Sequence, residues 1–201
     1  MTEKTEKEFI PSELHLFEMD NERRRLRRNR MIYLNEDVDD CSAGRFVEDM
    51  YLMITEGKEP ITVMITSGGG DVFAGMAMIR AIKKAQANGI KVIGEVYGQA
   101  LSMAFFILQC CDKRIMGKYC SLMCHGVSTT FEGDMKNVEA ESKLLKRFQA
   151  ELSELVAERN TSKNKKCKEP GFWFAMLEDN TPQFYDSNDS LKNGLIDNIE
   201  S

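Results

Sequence analysis

The chain has 201 residues, enough for one domain with a sizeable core, and its 42% hydrophobic and 29% charged residues are ordinary for a soluble globular protein. A net charge of -5 argues against a nucleic-acid surface. No apolar run approaches the ~20 residues that span a bilayer, the N-terminus lacks the apolar core of a signal peptide, and six cysteines without such a signal make no disulfide framework, so a cytoplasmic location is expected.

Residues 1–12 read as a polar tail and 12–30 as a helix. That helix carries Arg23-Arg24-Arg25-Leu26-Arg27-Arg28, a run suited to a solvated face or to acidic partners across subunits. Residues 1–30 form a charged N-terminal segment and 31–201 a single domain. A short strand is expected at 31–34. Residues 42–55 place Phe46, Val47, Met50, Tyr51 and Ile54 at helical spacing, with Ser42 as the cap. A buried strand at 60–65 breaks into Ser67-Gly68-Gly69-Gly70-Asp71, and a helix follows at 72–88, closed by Gly89. A third strand occupies 90–96. After Gly98-Gln99-Ala100-Leu101 comes Ser102, on the first turn of a buried helix through 105–108. Further short strands are expected at 114–116 and 121–124, the second ending on His125. A flexible polar stretch, 126–133, leads into one long helix over 135–159. At about 25 residues that helix is ~37 Å long, too long for one small core, so part of it should project onto another subunit. A loop at 160–170, a short helix at 172–177, a strand at 183–185 and a helical turn at 189–193 complete the chain. Alternating strands and helices imply parallel strands with right-handed crossovers.

Three stretches carry chemistry. Ser102 sits where backbone N–H groups are unpaired and the helix dipole is positive. A hydroxyl there caps the helix, which is the commoner use, or acts as a nucleophile whose oxyanion those N–H groups stabilise. The glycine triplet lacks the Lys-Ser/Thr of a phosphate loop and the spaced glycines of a dinucleotide fold, and Asp71 would repel phosphate. It is a plain tight turn or an oxyanion donor beside a substrate chain. Of two histidines, His15 lies in the charged N-terminal segment, where solvation is expected, while His125 stands at a strand end with the reach of a general base. Cys120, Cys124 and His125 lack the second ligand pair that zinc spacing requires, so no metal is expected.

The segments Ser67-Gly68-Gly69-Gly70, Ala74-Gly75-Met76, Gly98-Gln99-Ala100-Leu101-Ser102-Met103-Ala104, Leu122-Met123-Cys124-His125 and Gly194-Leu195-Ile196-Asp197 resemble the ClpP peptidase family, from about residue 30 to 199. The resemblance implies an α/β, crotonase-like spiral of βαβ units, with 135–159 as a protruding handle helix. It implies a serine endopeptidase without a cofactor: Ser102 attacks, His125 is the base, and the N–H groups of Gly70 and Met103 form the oxyanion hole. An unfolded polypeptide would lie as a strand along Gly68 and Gly69. The partners implied are copies of the same chain, in heptameric rings stacked as a 14-mer, and an AAA+ unfoldase; neither nucleic acid nor membrane is implied. Divergence from the family pattern suggests a phage- or plasmid-type member. An ungapped match puts Pro182 where the family has the triad aspartate, so Asp179 is the candidate third member, with Asn180 beside it. Other readings are an inactive ring subunit, a scaffold-processing protease of phage head maturation, and an acyl-CoA enzyme of the same fold.

Overall fold

The computed structural model describes residues 13–127 and 134–201. The polar segment 1–12, the His15 side chain and most of the polar stretch 126–133 lie outside the described residues. The elements in order are α1 (Glu13–Arg28), β1 (Met31–Leu34), α2 (Asp40–Glu56), β2 (Ile61–Ser67), α3 (Val72–Ala87), β3 (Val92–Leu101), α4 (Met103–Cys110), β4 (Lys113–Gly117), β5 (Ser121–Cys124), α5 (Met135–Arg159), α6 (Pro170–Glu178), β6 (Gln183–Tyr185), α7 (Ser187–Lys192) and β7 (Asn198–Glu200). A short 3₁₀ turn, Lys165–Lys168, sits inside the loop expected at 160–170.

The sheet runs β1-β2-β3-β4-β7 and is parallel throughout, with β5 parallel to β3, and β6 antiparallel to β5. Parallel strands need crossovers, and the helices supply them. Helices α2, α3 and α4 pack in succession on the covered face of the sheet, and α5 packs in turn on α4. That face buries Ile32, Leu34, Ile61, Val63, Ile65, Val92, Val96 and Met116, and α4 is buried along its whole length. Across the other face Tyr33 and Tyr97 are exposed.

Four expectations need correction. The cap of α2 is Asp39, not Ser42: Asp39 Oδ1 accepts from the Ser42 N–H at 2.7 Å, and Ser42 Oγ accepts from the Asp39 N–H at 2.9 Å, a reciprocal capping box. Tyr51, expected on the apolar face of α2, is 45% exposed. The third strand does not stop at 96. It continues through Gly98 to Leu101, because an irregularity between the Ile65↔Val96 and Ser67↔Ala100 pairs advances β3 by two extra residues. Its first half pairs with β4 and its last residues pair with β5. Finally, the C-terminal strand β7 has no counterpart in the sequence reading.

The basic run finds acids within its own chain. Arg23 meets Asp49 at 2.7 Å and Glu48 at 3.0 Å, and Arg27 meets Glu56 at 3.6 Å, so α1 is fastened along α2. The long helix α5 divides as its length suggests. Phe148, Leu152, Leu155, Val156 and Ala157 are buried, whereas no residue over 136–147 is.

Candidate active site

The site lies at the carboxyl ends of β2, β3 and β5, where open α/β sheets bind ligands. Two registers build it. β3 and β5 pair with Leu101 opposite Met123, so Ser102 and His125 leave the sheet side by side. β2 and β3 pair with Ser67 opposite Ala100, which brings the glycine triplet alongside Ser102. The redirection of β3 is what makes both pairings possible.

Ser102 is the N-cap of α4, yet its side chain makes no capping hydrogen bond. Instead its Oγ lies 2.9 Å from His125 Nε2. The backbone of Ser102 has φ 52° and ψ -122°, a conformation that costs a non-glycine residue about 1–3 kcal/mol. Neighbouring bonds hold it there: the Ser102 N–H donates to Met123 O at 2.8 Å, and Ser102 O accepts from the Phe105 N–H at 3.0 Å. Such a strained strand-to-helix turn lifts a hydroxyl clear of the sheet.

Two backbone donors flank it. Met103 opens α4, so its N–H has no partner within the helix. Gly70 bridges Val38, but that bridge uses the Val38 N–H to Gly69 O at 2.8 Å and the Asp71 N–H to Val38 O at 2.7 Å, leaving the Gly70 N–H without a partner among the described residues. Gly70 and Met103 both line the cavity that holds Ser102 and His125, a space of about 450 Å³. Gly68 is exposed, while Gly69 is buried against the serine turn. A methyl group on Gly69 would stand 2.5 Å from Leu101 O, 2.7 Å from Ser102 Cβ and 2.8 Å from Met103 N, and φ is +91°. Gly69→Ala should therefore displace the serine from His125 and slow any reaction that the pair performs about 100-fold, with the melting temperature only modestly lowered. An unchanged rate would mean that the turn has slack.

The third triad candidates are placed differently. Asp179 closes α6, and its carboxylate makes no hydrogen bond among the described residues. Asn180 adopts φ 54°, and its Oδ1 stands 3.1 Å from where a Cβ on Gly126 would be, next to His125. Among the described residues no hydrogen bond reaches the second ring nitrogen of His125. Cys124, the residue before His125, is buried, and burial pushes its thiol up to about 12, so it is no rival nucleophile at neutral pH. Among the described residues no group of three His, Cys, Asp or Glu side chains is gathered as a metal site, and no helix is long and apolar enough to cross a membrane.

Sequence reasoning could not see the strain at Ser102 or the redirected strand, which are tertiary features. It did single out Ser102, His125, Gly69, Gly70 and Met103, but not Phe73 or Glu141, which line the same cavity and carry no local motif. The residues of this site lie within a single match to a known family model: residues 17–201 match the model described as Clp protease, reaching back into α1 as well as across the whole sheet. That match covers most of the chain, and the chain belongs to the Clp protease family, a family of serine peptidases.

Proposed function

We propose that the chain is a serine endopeptidase that cuts unfolded polypeptides, with Ser102 as nucleophile and His125 as general base. The observation that carries this reading is the 2.9 Å contact between Ser102 Oγ and His125 Nε2 on a strained turn. Ser102 Oγ attacks the peptide carbonyl carbon while His125 Nε2 takes its proton. The oxyanion is held by the N–H groups of Gly70 and Met103. His125 then returns the proton to the leaving amine, and water, activated by the same imidazole, releases the acyl group. The substrate runs as an extended strand past Gly68 and Gly69.

The turn at Asp179 and Asn180 orients the imidazole, and Asn180 stands closer to Gly126. Asn180→Ala should therefore slow hydrolysis more than Asp179→Ala, by lowering kcat rather than raising KM. Equal rates in both variants and the parent would mean that neither orients His125.

The ring belongs to the same proposal. The domain 31–201 forms the crotonase-like spiral, and the half of α5 over 136–147, with Val138 and Leu144 only half-buried, is the handle that joins copies. A ring encloses the sites, and an AAA+ unfoldase would feed them in the cytoplasm. The test is incubation with a permanently unfolded, alkylated protein, with native mass spectrometry on the same sample. Short peptides and a multimeric mass support the reading. An assembled ring that leaves the substrate intact favours an inactive ring subunit, the alternative suggested by the second ring nitrogen of His125, which no hydrogen bond reaches among the described residues.

A further inference from the structure

One charge in the cavity has no part in the chemistry above. Among the described residues three ionisable side chains line it: Asp71, His125 and Glu141. Asp71 is committed to α3, where its Oδ1 accepts from the Ala74 N–H at 2.8 Å. His125 is engaged by Ser102. Glu141, on the exposed half of α5, makes neither an ion pair nor a hydrogen bond among the described residues. Its own helix offers it no counter-charge: the residues three and four positions away are Asn137, Val138, Leu144 and Leu145. The nearby Lys143 is taken by Glu139 at 2.7 Å, and among the described residues no lysine or arginine lines the cavity.

The same cavity has apolar walls formed by Phe73, Phe106, Leu144, Leu145 and Leu152. Phe73 is 53% exposed, its ring edge-on to Phe148 at 5.3 Å, so a flat apolar surface is presented rather than buried. A space of about 450 Å³ takes more than one side chain. A recess with apolar walls and two carboxylates in its lining, of which Asp71 is held by the first turn of α3 and Glu141 is bonded to nothing among the described residues, suits a side chain with an aliphatic stem and a cationic end. A purely aliphatic side chain would use the walls and leave the charge idle; an acidic one would be repelled.

We propose that Glu141 is a specificity-determining residue, favouring substrates with lysine or arginine next to the scissile bond. This rests on the peptidase reading above. The probe is a set of peptides that differ only in lysine, norleucine or glutamate at each of the two positions on either side of the bond. At one of these positions lysine should exceed norleucine in kcat/KM by about fivefold, with glutamate the poorest. Added salt should shrink that advantage. Glu141→Gln should bring the lysine-to-norleucine ratio down about fivefold, and Glu141→Lys should turn the preference toward glutamate. Cleavage of the norleucine peptides with a ratio that Glu141→Gln does not move overturns this inference alone. No cleavage of any peptide overturns the peptidase reading, and this inference with it.

Discussion

Ser102→Ala should lower kcat by about 10⁵–10⁶-fold and leave KM for a short peptide nearly unchanged, because the hydroxyl acts on the transition state rather than on binding. His125→Ala should cost about as much. The double variant should be hardly worse than either single one, since a nucleophile and its base work as one unit. Residual hydrolysis above the uncatalysed rate would then report the N–H groups of Gly70 and Met103. A third substitution separates chemistry from architecture. Ser102→Gly removes the same hydroxyl but suits a backbone at φ 52°. It should raise stability by about 1 kcal/mol while abolishing turnover. A serine present only for structure would show the opposite: stability lost, activity retained. Paired melting curves and peptide assays on the three variants distinguish the two.

The second large effect concerns what fastens the C-terminus beneath the sheet. Arg114 on β4 is 2% exposed, and its guanidinium forks onto Asp197, with NH2 to Oδ1 at 2.8 Å and Nε to Oδ2 at 3.1 Å. The remaining donor, NH1, reaches Gln109 Oε1 at 2.7 Å, and Gln109 in turn donates to Leu195 O at 3.0 Å. Asp197→Asn leaves a buried cation without its counter-ion and should cost about 3–5 kcal/mol, a drop in melting temperature on the order of 10 °C. The double variant Arg114→Met, Asp197→Asn should lose less than the sum of the single changes, because the stranded charge is gone. The pH dependence has a definite sign. Burial alone would raise the Asp197 carboxyl, but the hydrogen bonds and charge of Arg114 outweigh it and hold the group below the usual carboxylate range. A depressed folded value means the stabilisation is complete above the unfolded value of about 3.9 and fades as pH falls through the folded one. The stability gap between parent and Asp197→Asn should therefore be constant near neutrality and close in acid below about pH 4. A gap that widens in acid would contradict this sign.

Much of this was legible in the residues. The strands Met31–Leu34 and Ser121–Cys124 and the helix Met135–Arg159 follow directly from apolar runs and 3.6-residue periodicity. The meeting of Ser102 with His125 was foreseeable from a lone serine at a strand-to-helix junction and a histidine at a strand end. What stayed hidden has physical reasons. The strand expected to stop at 96 runs on through Gly98 to Leu101, a consequence of pairing with two different neighbours. Asn198–Glu200 carries no strand signal of its own and becomes β7 only by pairing with β4. Asp39, Asp40 and Ser42 all precede an apolar face, and only the reciprocal bonds of the capping box choose Asp39. The pairing of Arg114 with Asp197 spans 83 positions, beyond any local pattern. Which of Asp179 and Asn180 comes nearer to His125 depends on the path of the chain from α6 to β6, which spacing alone leaves open.

The most direct measurement is the intact mass of the protein after treatment with a fluorophosphonate, beside Ser102→Ala, with its assembly state read on the same instrument. A serine activated by His125 predicts one adduct per chain on the parent and none on the variant. An assembled parent that stays unlabelled, or an adduct that persists when Ser102 is gone, would contradict it.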